Sequence, residues 1–397
     1  MPPVVGPPAP AGLIWSTPTG IFRSKTDGSS LITLANAPDL RQVVPDLEQS
    51  VVIYKTRPDT ATTLGTPNII WKADVQGGGT HALVETQLDI EFIMDVIGSW
   101  VIYGVPLRSW SPHSVALDGS VIHSFALFAG SFYARSVGGR AVLVQCDLAP
   151  ICTDLYSVLP DATDLRHLTA LPTGPNGMFF TFPSIPGAAG NQVIYSVLFP
   201  ASVQDLFAVP VTGGPVTTLA NSPDYEWLGA VVGSRVIYHR CVVESSLHVS
   251  QCDLSSVLSD GTGTVALSTN PDNEIVQGVI GSQVIVRRNS GATDSLYSIP
   301  ASGGAEVPML TLADPMHEFV AGIVGDRVIL KQSTGLWSLR ADGSGFVHLT
   351  TEADGFMIGG AGPFACFNRG PALWCVPADG SGPATKVTEN GTFVTGL

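Results

Sequence analysis

Short apolar runs rich in Val, Ile, Leu and aromatic residues alternate along this chain with turns rich in Gly, Pro and Asp, the pattern of a protein built from short β-strands. The runs sort into four kinds that recur in one order. The most regular reads Leu-aromatic-x-Val and leads into a Gly-rich turn: Leu155-Tyr156-Ser157-Val158, Leu206-Phe207-Ala208-Val209, Leu296-Tyr297-Ser298-Ile299, Leu336-Trp337-Ser338-Leu339 and Leu373-Trp374-Cys375-Val376. Weaker copies stand at Ile21-Phe22, Ile70-Trp71 and Leu247-His248, and the poorest at Val115-Ala116. A β-branched or aromatic run precedes each, at 51–54, 101–103, 142–144, 193–195, 236–238, 284–286, 328–330 and 364–367. Upstream of many lies a Gly-containing run that opens on Glu, as in Glu226-Trp227-Leu228-Gly229, Glu274-Ile275-Val276-Gln277-Gly278 and Glu318-Phe319-Val320-Ala321-Gly322. A Thr-containing run follows the Gly turn, as in Thr217-Thr218-Leu219, His348-Leu349-Thr350 and Lys386-Val387-Thr388.

In chain order these are strands a (Glu-led), b (Val-Ile-Tyr), c (Leu-aromatic) and d (Leu-Thr). The aromatic position of strand c recurs every 37 to 51 residues, the period of a four-stranded propeller blade. Gly-rich strand a suits the crowded inner position of such a blade. The chain starts with a b-like strand, Leu13-Ile14-Trp15, and ends with an a-like strand, Phe393-Val394-Thr395-Gly396-Leu397. The expected fold is therefore all-β, a single closed β-propeller over residues 12–397 in which the C-terminal strand completes the first blade. The count is nine blades, or eight if the weak unit at Ser114 to Phe125 is an insertion.

The phrases Leu336-Trp337-Ser338-Leu339-Arg340-Ala341-Asp342-Gly343-Ser344-Gly345 and Leu373-Trp374-Cys375-Val376-Pro377-Ala378-Asp379-Gly380-Ser381-Gly382 resemble the blades of TolB-type propellers. The resemblance covers nearly the whole chain at blade level and implies a fold without a chemistry. The family's Ser-Pro-Asp-Gly turn between strands a and b is replaced by turns such as Val232-Gly233-Ser234 and Val324-Gly325-Asp326, and the blade count exceeds the family's six. A TolB-like envelope role is not carried over.

Composition narrows the setting. Only 13% of the 397 residues are charged, too few for a disordered chain, and the net charge of −14 with no Lys/Arg cluster argues against a nucleic-acid partner. No apolar run is long enough to span a bilayer as a helix. Residues 1–11 form a Pro-rich arm without the apolar core of a signal peptide; it could dock on a second copy, and a leader is expected to be absent from this chain. The six cysteines fall into local pairs, Cys146 with Cys152, Cys241 with Cys252 and Cys366 with Cys375, each flanking a b–c hairpin. Disulfides at these pairs place the protein outside the cytoplasm, secreted, periplasmic or on the cell surface.

No catalytic motif emerges. The nearest approach to Gly-x-Ser-x-Gly, Ala134-Arg135-Ser136-Val137-Gly138, falls in an expected inner strand rather than on a strand-to-helix elbow. Acids recur in the links from strand d into the next strand a: Asp39, Asp89 with Glu91, Asp224 with Glu226, Asp272 with Glu274, and Asp354. In a propeller these links open on the mouth of the central channel, where a partial ring of carboxylates would bind Ca²⁺, a cationic ligand or a basic segment. The competing account makes them turn-forming residues that accept local N–H bonds. His317 and Glu318 share one such link and are the only seed for a metal-assisted carbohydrate lyase or hydrolase. The leading expectation is a non-enzymatic scaffold, without a required cofactor, that binds a protein or glycan through its loops.

Overall fold

A computed structural model of the chain describes residues 11–57, 68–86, 92–107, 109–125, 131–148, 151–171, 187–198, 203–245, 248–270, 272–290, 293–312, 318–351 and 357–397. The described residues form 36 strands and no helix. They assemble into seven four-stranded sheets and one eight-stranded sheet, which is two antiparallel meanders joined by a single parallel bridge between Gln204 and Tyr225. Counting those two halves, the described strands make nine four-stranded meanders in the order a-b-c-d. Meanders 2 to 9 occupy 40–86, 92–124, 131–170, 187–220, 225–266, 273–312, 319–350 and 357–388. Meander 1 combines Gly12–Thr17, Gly20–Lys25 and Ile32–Asn36 with the last strand of the chain, Thr392–Gly396. That strand pairs antiparallel with Gly12–Thr17, and the Leu397 N–H donates to the Gly12 carbonyl at 2.9 Å.

Contacts divide the chain into two compact units. One is Met1–Ala82, Gln277–Ile299 and Ala305–Leu397; the other is Leu83–Val276 with Pro300–Gly304. In each, the apolar cores lie between consecutive meanders, face against face, as alternating side chains of stacked sheets demand. In the first unit Ile14, Ile21 and Leu34 of meander 1 pack on Val52, Tyr54 and Ala73 of meander 2, and Leu13 and Trp15 pack on Phe364 and Leu373 of meander 9. In the second, Val142, Val144 and Leu155 of meander 4 meet Val193, Tyr195 and Val209 of meander 5. Strand a is short of side chains because its neighbour needs the room. A Cβ on Gly359 would lie 2.0 Å from the Phe393 ring of the adjacent strand a, and one on Gly278 would lie 2.4 Å from Ile323.

A second device ties one meander to the next. The Ser of the strand c motif is buried and donates to a carbonyl in the c–d turn of the following meander: Ser157 to Val211 at 2.6 Å, Ser256 to Ala301 at 2.6 Å, and Ser338 to Ala378. An Arg that opens strand b donates to the same hydroxyl: Arg140 to Ser157 at 3.0 Å, Arg235 to Ser256 at 2.7 Å and Arg327 to Ser338 at 3.1 Å. These guanidiniums also reach main-chain carbonyls in their own c–d turns, at Asp164, Gly263 and Gly345. Every buried polar group in the relay is thereby satisfied by a partner.

The relay corrects two register assignments. In meander 3 the motif is Pro112-His113-Ser114-Val115, because Ser114 donates to the Pro160 carbonyl at 2.5 Å; the expected Val115-Ala116 copy is out of step. In meander 6 it is Leu254-Ser255-Ser256-Val257, seven residues past the expected Leu247-His248. The stretch from Ser114 to Phe125 supplies the end of one strand, Ser109–Ala116, and all of the next, Ile122–Ser124, so it belongs to a complete meander.

Candidate functional site

All six cysteines are paired: Cys146–Cys152, Cys241–Cys252 and Cys366–Cys375 are disulfides. Each links residues directly opposite in the b–c ladder. The middle pair faces across the ladder because its strands, Arg235–Ser245 and His248–Leu258, run on past the cysteines to a hairpin of 11 residues a side. In every meander the b–c tip and the d–a link lie at the same end of the sheet, as a-b-c-d order requires.

The d–a acids have separate fates. Asp89, Glu91, His317 and Asp354 lie outside the described residues. Glu226 is buried, with its carboxylate accepting the Ser222 N–H at 2.9 Å and the Ser222 hydroxyl. Desolvation raises its pKa, and that of Asp205 beside it on the joined strand of meander 5. Glu274 is fully buried and accepts the Ser268 hydroxyl. Asp224 sits 3.6 Å from Arg240, which lies 3.7 Å from Asp253. Asp272 donates its N–H to the Asn270 side chain at 3.1 Å. Glu318 opens the strand Phe319–Val324 of meander 8. Where described, Glu226 and Glu274 face their own loops, and among the described residues no group of three or more His, Cys, Asp or Glu is arranged to hold a metal.

Other titratable groups depart from simple surface roles. His239 on strand b of meander 6 is 3% exposed; its Nε2 accepts the Val276 N–H at 3.2 Å and its ring lies 4.8 Å from Trp227. Burial drives its pKa down to about 4, with only the Trp227 main chain opposing. His167 on an outer strand is exposed and paired with Asp154 at 2.7 Å. In the c–d turns Asp27, Asp161, Asp260 and Asp342 accept hydrogen bonds from a Ser or Thr two residues on, which lowers their pKa values.

Two clefts flank the link from meander 1 into meander 2. One, of about 560 Å³, is lined by Thr17, Arg41, Gln42, Thr392 and Phe393 among others. The other, of about 220 Å³, is lined by Asn36, Asp39, Tyr54, Thr56, Trp71 and Thr80 among others. Asp39 adopts φ 62°, a left-handed conformation that aspartate tolerates better than most residues, and its carbonyl accepts the Arg57 N–H at 3.1 Å. Tyr54 and Trp71 are cross-strand partners with ring centroids 6.2 Å apart and planes 10° from parallel. The Trp71 Nε1–H donates to Thr56 Oγ1 at 3.0 Å. The sequence marked Asp39 as a link acid and Trp71 as a strand c aromatic, but nothing in it joined the two.

Neither a family model nor a curated protein matches the sequence. Similar solved structures are the β-propeller domain of the Trilobed protease from Pyrococcus furiosus, described as having an open velcro topology, TolB from Acinetobacter baumannii, and dipeptidyl peptidase 4 from Porphyromonas gingivalis. The protease domain has a TM-score of 0.44 at 10% identity, over 75% of this chain and 94% of that one. TolB has a TM-score of 0.33 at 14% identity, over 64% of this chain and 63% of that one. The peptidase has a TM-score of 0.53 at 10% identity, over 93% of this chain and 56% of its own. The chain therefore spans less than two thirds of the TolB and peptidase chains. The likeness to the peptidase is one of fold.

Proposed function

We propose that the nine meanders close into one propeller that works outside the cytoplasm as a non-catalytic scaffold, binding a protein or glycan at the end that carries the b–c hairpins and d–a links. The observation that carries this reading is the placement of the disulfides. Each bridges strands b and c of a single meander, with its sulfurs buried, and so stiffens the hairpin that leads to that end of the sheet. Six cysteines with no free thiol fit an oxidising compartment. The test applies the purified chain to a glycan array and an array of extracellular proteins, with metal analysis in parallel. Binding that is lost when the tip of the hairpin 235–258 is shortened supports the scaffold. A stoichiometric transition metal with cleavage of a polysaccharide would overturn it in favour of an enzyme.

A further inference from the structure

We propose that Asp205 and Glu226 hold one proton between them, and that this proton latches meander 5 to meander 6. The inference goes beyond the scaffold reading and does not depend on what the scaffold binds. The joint is built by the strands themselves. Gln204 and Tyr225 form the parallel bridge that joins the two meanders, and Asp205 and Glu226 are the next residue on each strand. Parallel register turns the side chains of such a pair to the same face of the sheet, so two carboxyls meet at the joint. Each has an oxygen that is buried without a hydrogen-bond partner, Oδ1 of Asp205 and Oε2 of Glu226. Glu226 is 1% exposed, and its Oε1 already accepts from the Ser222 N–H and hydroxyl.

Two buried acceptors without a donor both lose their hydration and gain nothing for it. One proton answers both: Glu226, as the acid, donates through Oε2 to the Asp205 carboxylate in a charge-assisted hydrogen bond. Desolvation raises the pKa of both groups, and the charges of Asp205 and Asp224 raise that of Glu226 further, against the Ser222 hydrogen bonds that lower it. The other titratable groups around the pair are engaged or neutral. Arg240, opposite Glu226 in the ladder, lies 3.6 Å from Asp224 and 3.7 Å from Asp253. Burial keeps the Tyr238 hydroxyl protonated and holds His239 neutral down to about pH 4. The matching residues one meander on are satisfied otherwise: Asp253 has Arg240, and Glu274 accepts from Ser268 and leaves no buried oxygen without a partner. A calcium ion would need about six to eight oxygens, and among the described residues no group of three or more acids or histidines is placed to hold a metal. With both pKa values raised, the pair stabilises the joint at low pH, and that stability is lost as pH rises through the folded values. The second carboxylate then forms, the two repel, and the bridge between the meanders opens.

The test follows hydrogen exchange of the full chain at 204–206 and 225–228, corrected for the intrinsic pH dependence, at pH 5 and pH 8 in EDTA. Protection there is expected to fall at least tenfold at pH 8, the equivalent of one pKa unit. Glu226→Gln, which keeps a donor for Asp205, should retain at pH 8 the protection seen at pH 5, and so should Asp205→Asn. Glu274→Gln should leave the fall in place. His239 titrates with the opposite sign and cannot imitate a loss on raising the pH. Wild-type protection that does not change with pH, or a tenfold fall that persists in either variant, overturns the proposal. A fall abolished when about 5 mM CaCl₂ replaces EDTA also overturns it, since the pair would then be a cation site. The two variants alter opposite halves of the pair, so one that folds is enough, and the wild-type measurement needs neither.

Discussion

Meanders 2 and 6 are built to one plan and have spent it differently. Each begins from a Pro-Asp link, and each has a Tyr on strand b facing a strand c residue, Tyr54 opposite Trp71 and Tyr238 opposite Ser255. In meander 6 the available groups are neutralised within the fold. Asp224 lies near Arg240, Glu226 is consumed by Ser222, His239 is sealed in against Val276, and a cystine closes the hairpin. In meander 2 no cation among the described residues pairs with the link acid, strand c offers an indole instead of a serine, and a cleft opens between them. The difference teaches that equivalent link positions of a repeat protein can be closed by local partners in one unit and left beside a cleft in another.

The comparison can be broken first at the cystine. Closing a loop of sequence separation 11, the Cys241–Cys252 bond should contribute about 3 kcal/mol by restricting the unfolded chain. Cys241→Ala with Cys252→Ala should lower hydrogen-exchange protection across 235–258 by that amount and leave 51–74 unchanged. Equal loss in both segments would mean that the two meanders do not open separately.

The second lever is pH. His239 has a folded pKa near 4 against an ordinary value near 6.5, so as pH falls below about 6.5 the unfolded chain takes up the proton first. The stability present at pH 7 is thus lost between about 6.5 and 4, amounting to about 2 kcal/mol at pH 4.5. His239→Gln should remove that loss in urea titrations at pH 7 and 4.5. Glu226 and Asp205, whose pKa values are raised, act with the opposite sign, favouring the folded state as pH falls through their folded pKa values. Glu226→Gln should therefore leave the His239 loss in place and make it steeper. The smallest effect concerns the indoles: Trp337→Ala, which loses contacts with both Phe346 and His348, should cost about 1 kcal/mol more than Trp71→Ala, which loses its stack on Tyr54, in the same titration.

Most of the scaffold was legible because it rests on short-range signals. Strands b, c and d announce themselves by β-branched and aromatic runs bounded by Gly turns, and cysteines symmetric about a hairpin must face each other. Two strand c motifs were misplaced because Leu247-His248 and Val115-Ala116 match apolar character, whereas the register is set by a buried serine, Ser256 or Ser114, whose acceptor lies some 45 residues away. The Arg of the relay did leave a trace, since Arg140, Arg235 and Arg327 each follow a Gly turn and open strand b. The link acids looked alike in sequence. Only three-dimensional packing separates Glu226 and Glu274, buried on serines, from Asp39 at the edge of a cleft.

The pairing of Thr392–Gly396 with Gly12–Thr17 has a consequence for biosynthesis. Translation at about 5–20 residues per second delivers the inner strand of the first sheet roughly 20 to 80 s after its partner has left the ribosome. Throughout that interval Leu13, Ile14 and Trp15 present an unpaired edge, the kind of surface on which a second nascent chain can nucleate. Among the nine described meanders the first to be started is the last to be finished, and any chaperone that attends them has its longest task at that sheet.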